Sequence, residues 1–253
     1  MPRVARIKSK SNIYHIMIRG INQQDIFTDD EDDEKFLVIL DHYRQKIELE
    51  IYAYCLMGNH VHLLLKEGKE PLSNTIKRIG ASYVYYYNWQ YDRKGHLFQD
   101  RYKSEPVEDD AYFLTVLRYI HQNPLKAGLT NNIASYLWSS YKEYIHKQKM
   151  VKVDFALSLF DQDKNRAIKE FEKFNYGINQ DQCLDLTEQK KTLSDKLVRK
   201  LVLDKYGVEL ALLHNESKKN QLEIIKYLKA QEGISMRQLS RLTGLTLNKI
   251  FII

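Results

Sequence analysis

The feature that most constrains the fold is a strand–turn–strand pattern in residues 48–66. "ELEIYAYCLM" (48–57) and "HVHLLLK" (60–66) are apolar runs of strand length. The pair Gly58-Asn59 between them suits a tight turn that joins antiparallel strands, although Asn-Gly is the commoner order. The pattern therefore predicts an antiparallel hairpin.

Further strands and helices are predicted on both sides of this hairpin. Short segments with strand character lie at residues 12–20 and 96–107. Apolar residues at helical spacing predict helices at residues 29–46, 71–92 and 108–123. The last helix is expected to end before Pro124, since proline disfavours helix continuation. The order β-α-β-β-α-β-α predicts an α+β, ferredoxin-like (split βαβ) domain with an antiparallel sheet.

A change of composition after about residue 145 predicts a separate all-α region. Glycine becomes scarce, and helical patterns follow at residues 154–175, 192–206 and 218–231. The chain is therefore divided into a first domain (1–145), a helical linker region (146–191) and a C-terminal helical region (192–253). The Lys-rich stretch at residues 142–152 is the expected linker.

The last segment, "ISMRQLSRLTGLTLNKIFII", has the pattern of a helix-turn-helix. Ser235 is a suitable N-cap for the first helix, and Gly244 suits the turn. Four aliphatic residues are expected to pack between the helices: Leu239, Leu242, Leu245 and Ile250. The pattern favours binding to duplex DNA, but ordinary helical hairpins share it.

The charge and the aromatic content favour an anionic partner. The 253 residues carry a formal net charge of +6 and include 18 tyrosines. "YVYYYNWQY" (83–91) places six aromatic residues in nine positions. Aromatic side chains beside basic residues can stack on unpaired bases; alternatively, about half of them face the interior.

The sequence lacks the features of a membrane protein or a disulfide-rich protein. No apolar run approaches the roughly 20 residues that span a bilayer. A cytoplasmic protein without a membrane partner is therefore expected. Cys55 and Cys183 are far apart and match neither a disulfide framework nor a zinc pattern, so both are expected to be reduced thiols.

Two histidines, His60 and His62, interrupt the apolar pattern of the second hairpin strand. On a strand, residues i and i+2 point to the same face, about 6–7 Å apart, so the two imidazoles project together. Ring nitrogens in this arrangement can bind one metal ion. Alternatively, one histidine is hydrogen-bonded to the backbone and the other is exposed.

A second polar pair lies in "LRYIHQNPLKAGL", residues 117–129. Tyr119 and Asn123 are four residues apart, so they share one face of a helix. If this helix lies against the sheet, His60, His62 and Asn123 make a three-ligand metal site. Tyr119 would then stand beside the site as a nucleophile.

These residues resemble a known family. "GNHVHLLL", followed about 55 residues later by "YIHQNPLKAGL", resembles the paired motifs of the single-tyrosine HUH transposases, in which U is a hydrophobic residue. "YHIMIRG" and "GHLFQDRYKS" are also similar, and the likeness to the REP-associated tyrosine transposases covers roughly residues 1–145. The resemblance implies His60 and His62 as metal ligands, Tyr119 as the nucleophile and Asn123 as a polar metal ligand, with Gln122 a weaker candidate.

The resemblance also implies a reaction and its partners. The substrate would be single-stranded DNA near a hairpin, and Mg²⁺ or Mn²⁺ would neutralise the scissile phosphate. Tyr119 would form a 5′-phosphotyrosine, and a second 3′-hydroxyl would reverse the step and join strands. The active form is expected to be a monomer or a homodimer, with duplex DNA as a further partner of the C-terminal region. Candidate phosphate contacts, each alternatively a solvated surface charge, are Arg19, Lys77, Arg78, Arg101 and Lys103.

Two other functions compete with this interpretation. A metal-dependent hydrolase with a His-X-His strand would need repeated strand–helix units and further ligands, which the sequence lacks. A domesticated or non-catalytic DNA-binding regulator would use the same fold. Formation of a covalent protein–DNA adduct distinguishes this regulator from a transposase.

Overall fold

The computed structural model describes residues 6–99, 101–181, 183–184, 193–231 and 233–252 of the chain. These residues form two compact units, each with its own hydrophobic core. The first takes the described residues of Met1–Asn22 and Ile26–Asp185, and the second those of Gln23–Asp25 and Leu186–Ile253. Residues 185–191, the end of the predicted linker region, lie outside the described residues. The first and last residues of the predicted C-terminal helical region, 192 and 253, also lie outside them.

The first unit is built on a four-stranded antiparallel sheet. Its strands are β1 (Ile13–Arg19), β2 (Glu50–Met57), β3 (His60–Lys66) and β4 (Lys103–Pro106), in the order β2-β3-β1-β4. The predicted hairpin and the split βαβ order are confirmed. β4 is shorter than predicted, because residues 97–99 bond to the chain at Arg19 and Ile21, outside the regular ladder.

The first three helices of this unit begin within two residues of the predicted starts at 29, 71 and 108. The helices of the unit are α1 (Asp30–Ile47), α2 (Leu72–Gln90), α3 (Asp110–Lys126), α4 (Tyr141–Ile145), α5 (Val153–Ser158) and α6 (Lys164–Tyr176). Asp29 and Asp109 cap α1 and α3, since each carboxylate accepts from the backbone N–H three residues later.

Helix α3 extends beyond its predicted end, which is a correction. Pro124 lies inside the last turn, and the helix ends at Lys126. The proline removes one backbone donor, but Ala127 N still donates to Asn123 O at 2.9 Å. A single missing hydrogen bond in the last turn therefore does not end the helix.

The Lys-rich stretch at 142–152 is not a linker but part of the first core. Glu143 accepts hydrogen bonds from three consecutive backbone N–H groups at residues 149–151. Lys152 N donates to Ile51 O on β2 at 2.7 Å, which ties the stretch to the sheet. The first unit therefore continues past the predicted boundary near residue 145.

The single helical pattern predicted for residues 154–175 forms the two helices α5 and α6. The break has a local cause, because Asp163 starts a new helix by accepting from Arg166 N at 2.9 Å. Phe171 of α6 stacks on Tyr144, with ring centroids 4.5 Å apart. α6 is thus a structural part of the first unit.

The second unit consists of helices around its own core. They are α7 (Asp195–Tyr206), α8 (Lys218–Lys229), α9 (Met236–Thr243) and α10 (Leu247–Ile252). Ser235 caps α9, Gly244 takes φ +69° at the turn, and the four predicted aliphatic residues are buried. The helix-turn-helix-like end is therefore confirmed as a structure. No described helix combines the length and apolar character that crossing a bilayer requires.

Candidate functional site

One face of the sheet carries the two predicted histidines. Residues paired across neighbouring strands point to the same face. On this face the pairs form three rows: Arg19–His60–Met57, Lys103–Met17–His62–Cys55 and Glu105–His15–Leu64–Ala53. The sheet register therefore places a third histidine, His15, diagonally beside His62.

The three histidines are in mutual contact. His15 Nε2 lies 2.9 Å from His62 Nδ1, and the ring centroids of His60 and His62 are 4.9 Å apart. His60 Nδ1 lies 2.6 Å from Asn59 Oδ1 and donates to it, because an amide oxygen can only accept. The Nε2 atoms of His60 and His62 are thus left for another partner.

Helix α3 brings Tyr119 against these rings. Buried apolar residues fix the helix on the sheet: Phe113, Val116, Leu117 and Ile120. The Tyr119 ring centroid is 5.6 Å from that of His62 and 5.8 Å from that of His15, edge-on in both cases. The Tyr119 side chain is buried, and Lys126 Nζ lies 5.4 Å from its ring centroid.

Asn123 lies one turn after Tyr119 on the same helix. Its Nδ2 donates to Tyr119 O at 3.1 Å, which holds the amide against its own helix and leaves Oδ1 as the potential ligand atom. Gln122 is engaged elsewhere, because its Nε2 donates to Asn175 O and Gly177 O while its Oε1 accepts from Asn179. Of the two amides, only Asn123 keeps an oxygen suited to a metal.

Residues 175–181, called the clasp below, form hydrogen bonds with side chains of α3. Three of its residues bond Gln122, as described above. A fourth, Asp181, forms an ion pair with Arg118 through two hydrogen bonds of 2.7 and 2.9 Å. Both side chains are largely buried, at 16% and 12% exposure. Arg118 immediately precedes Tyr119, so the clasp holds the helix at the position of the predicted nucleophile.

This clasp gives a stability prediction. The Asp181→Asn variant is expected to lose about 1.5–3 kcal/mol of unfolding free energy, because a partly buried guanidinium loses its charged partner. Urea denaturation of the full chain measures the change. Asp154→Asn is the matched control, since Asp154 is exposed on α5. Equal stability of both variants would contradict a structural role for the pair.

Burial keeps the three histidines neutral. It lowers the pKa of His15 to about 3 and, together with the nearby charge of Arg19, lowers the pKa of His60 to about 4. The pKa of His62 is held well below its ordinary value by burial and by its two histidine neighbours. At neutral pH the rings therefore offer unprotonated nitrogens, which is the form that binds a metal ion.

The two histidines alone do not complete a site for a divalent ion, so a ligand other than His, Cys, Asp or Glu must contribute. Among the described residues, no three His, Cys, Asp or Glu side chains are arranged to hold one ion. His60 and His62 offer two nitrogens on one face, and Asn123 offers an amide oxygen, a hard donor of the kind Mg²⁺ and Mn²⁺ accept. Two imidazoles, one amide and substrate oxygens would complete such a site.

Two of the five candidate phosphate contacts lie at the histidines. Arg19 is the cross-strand partner of His60, and its charge contributes to the lowered pKa of that ring. Lys103 is exposed at the start of β4, in the same row as His62. Both residues therefore lie on the sheet face that carries the histidines.

The other three basic candidates lie outside the strands of the sheet. Lys77 and Arg78 are exposed on α2, where Arg78 Nη2 is 3.4 Å from a Glu70 carboxylate oxygen. Arg101 is exposed in the turn before β4. The aromatic stretch divides as expected, with Tyr83 and Tyr87 buried and Tyr85 and Trp89 exposed.

Two polar residues of this face, the buried His15 and the half-buried Glu105, were missed by the sequence analysis. His15 lies in the quoted segment "YHIMIRG", and it alternates with Met17 and Arg19 on one face of β1. Placing β1 directly beside the His-Val-His strand would have brought His15 to the same face. That neighbour relation depends on the strand order, which the local pattern does not encode.

The strand order and the polar face together define the class of the first unit. It is a ferredoxin-like α+β domain whose sheet presents histidines to a tyrosine-bearing helix. The family model described as "Transposase IS200 like" matches residues 8–123, which include His60, His62 and Tyr119. Residues 8–123 are therefore similar to the IS200-like transposases, in agreement with the resemblance recognised from the motifs.

Two solved structures are similar to parts of the chain. The structure of a REP-associated tyrosine transposase bound to a REP hairpin matches with a TM-score of 0.51 and 15% identity, over 61% of this chain and 90% of that chain. A transposase candidate from Deinococcus radiodurans R1 matches with a TM-score of 0.34 and 18% identity, over 48% and 97%. The first match supports the ferredoxin-like fold. No curated protein matches the chain.

Proposed function

We propose that the protein cleaves and rejoins single-stranded DNA through a covalent bond between Tyr119 and a 5′-phosphate. The observation that carries this proposal is the contact between the Tyr119 ring and the His62 ring, 5.6 Å apart by centroid. A nucleophile and a metal-binding pair must act on the same phosphate, so their proximity is the geometric requirement. The transposase family of this domain supports the same reaction class.

In the proposed reaction the Tyr119 oxygen attacks the scissile phosphorus. The new O–P bond forms as the bond to the 3′ oxygen breaks; the tyrosine proton is released, and the 3′ oxygen gains a proton to become a hydroxyl. A different 3′-hydroxyl then attacks the phosphotyrosine, which rejoins strands and restores Tyr119. No nucleotide cofactor is required, because the covalent link conserves the phosphodiester energy.

His60, His62 and Asn123 would hold Mg²⁺ or Mn²⁺, which supplies positive charge at a non-bridging phosphate oxygen. The neutral imidazoles suit this role, since their nitrogens need not release a proton first. Arg19 and Lys103 would bind neighbouring phosphates from the edges of the same face. The substrate is proposed to be hairpin-associated DNA, as in the similar structure bound to a REP hairpin.

The test is a search for the covalent intermediate. The full-length protein is incubated with Mn²⁺ and labelled single strands that contain a hairpin, and the products are separated in detergent. A labelled species that migrates with the protein and disappears after protease treatment supports the proposal. Binding without any such species, across strands of varied hairpin and flank, would favour the non-catalytic regulator.

A second prediction concerns duplex DNA. Because Ser235, Gly244 and the buried aliphatic residues build a helix-turn-helix-like end, we expect the second unit to bind duplex DNA. A fragment of residues 1–184 should keep single-strand cleavage but lose duplex affinity, compared at one stated salt concentration. Equal duplex affinity of fragment and full chain would instead give the second unit a structural or partner-binding role.

A further inference from the structure

Two buried polar atoms beside the histidines are not used by the proposed reaction. His15 Nδ1 and Glu105 Oε2 are both inaccessible, and neither has a hydrogen-bond partner among the described residues. Their residues are direct cross-strand partners between β1 and β4. Leaving a buried polar group unpaired is unfavourable, so two adjacent cases call for a common explanation.

The direction of the hydrogen bond between His15 Nε2 and His62 Nδ1 determines whether His15 Nδ1 is a donor or an acceptor. His62 Nδ1 is bonded to His15 Nε2 at 2.9 Å, so His62 can bind a metal only through Nε2. A metal-binding nitrogen carries no proton, which places the proton of neutral His62 on Nδ1. His62 Nδ1 then donates, and His15 Nε2 must accept.

This direction also determines the protonation of the second ring nitrogen of His15, Nδ1. With Nε2 as the acceptor, the neutral His15 ring carries its proton on Nδ1, which is the buried nitrogen without a partner. Glu105 Oε2 is a buried acceptor without a donor. Cβ atoms of direct cross-strand partners lie about 4.5–5.5 Å apart, so one bridging water can connect their polar atoms.

Tyr112 supports this arrangement from α3. Its hydroxyl hydrogen-bonds to the Glu105 carboxylate, and burial followed by this bond raises the pKa of Tyr112. The phenol therefore stays protonated and donates to the carboxylate. This interaction holds the Glu105 carboxylate beside α3, and its Oε2 is buried without a hydrogen-bond partner among the described residues.

We propose that Glu105 and His15 are positioning residues for the metal ligand His62. Glu105 accepts the Nδ1 proton of His15 through one bridging water, and His15 Nε2 accepts the Nδ1 proton of His62. The chain of donors fixes the tautomer of His62 and turns its Nε2 lone pair toward the metal. This proposal rests on the proposed function for the identity of the bound ion, but the tautomer itself does not require metal or DNA.

The first test measures Mn²⁺ affinity of the full-length protein without DNA, by the electron paramagnetic resonance signal of free Mn²⁺. His15→Leu removes the acceptor and is expected to weaken Mn²⁺ binding about 10- to 100-fold. His15→Gln keeps an amide oxygen as acceptor and should recover most of that loss. Glu105→Met should also weaken binding, whereas Glu105→Gln retains an acceptor and should stay near the wild type.

The second test reads the tautomer directly. In ¹⁵N-labelled protein, long-range nitrogen–proton spectra distinguish a proton on Nδ1 from one on Nε2. The wild type should show His62 protonated on Nδ1, and His15→Leu should shift it toward a mixture of both forms. If His15→Leu does not fold, as judged by circular dichroism, the wild type and His15→Gln spectra decide.

Two results would overturn the proposal: wild-type Mn²⁺ affinity in folded His15→Leu and Glu105→Met, or a wild-type His62 protonated on Nε2. A different result would contradict the proposed function but not the positioning role of His15 and Glu105. A protein that forms no DNA adduct but shows His62 protonated on Nδ1 in a His15-dependent way would retain the positioning chain and lose the strand-transfer reaction.

Discussion

The Tyr119→Phe variant is expected to form no covalent DNA adduct and to cut no strand. The substitution removes one oxygen, the atom that would bond to phosphorus, and keeps the ring that packs on His15 and His62. Hairpin binding and thermal stability should therefore stay close to the wild type. Gel analysis of the labelled strand and a fluorescence-anisotropy binding curve separate the two effects.

Tyr102→Phe is the matched control for this substitution. Tyr102 contacts Arg6, whose guanidinium lies 3.6 Å from its ring centroid, and it does not supply the proposed nucleophile. This variant should still form the adduct. Peptide mapping of the wild-type adduct gives the sharpest result, because a nucleotide attached to any other tyrosine would refute the assignment of Tyr119.

The second large effect is expected at the metal ligands. His60→Ala and His62→Ala should each slow cleavage by about 10³-fold or more, because a phosphate without its metal loses several kcal/mol of transition-state stabilisation. Hairpin affinity should change little, since contacts to the DNA backbone supply most of it. Single-turnover cleavage over a range of Mn²⁺ concentrations, with binding measured at the same salt, tests both statements.

An exposed histidine provides the control for these variants. His42 lies on the surface of α1, so His42→Ala should cleave like the wild type. A His60→Ala protein that cuts at the wild-type rate in Mg²⁺ would show that the histidine pair is structural. It would also leave Tyr119 to be activated by other groups.

Sequence patterns predicted the local parts of this molecule well. The hairpin around Gly58 and Asn59 depends on neighbouring residues, and both its strands formed within two residues of the prediction. The cap at Ser235 and the turn at Gly244 are likewise encoded locally. The motifs also identified the transposase family, because they record residue types at fixed spacing.

Non-local packing explains what the sequence patterns missed. His15 reaches His62 only because β1 lies between β3 and β4, and no local periodicity specifies that order. The stretch at 142–152 was predicted to be a linker because it is rich in lysine. In the structure, however, Glu143 and Tyr144 are buried, and the Tyr144 hydroxyl donates a hydrogen bond to Tyr52 O on β2. In both cases the partner lies far along the chain.

The clasp on α3 has a consequence for how this protein can be shortened. The family model ends at residue 123, but Arg118 and Gln122 find their polar partners in residues 175–181. A fragment cut after the last motif would expose a guanidinium, an amide and the aromatic surface that Phe171 covers. The residues proposed for the chemistry are therefore a smaller set than the residues that a stable fragment must contain.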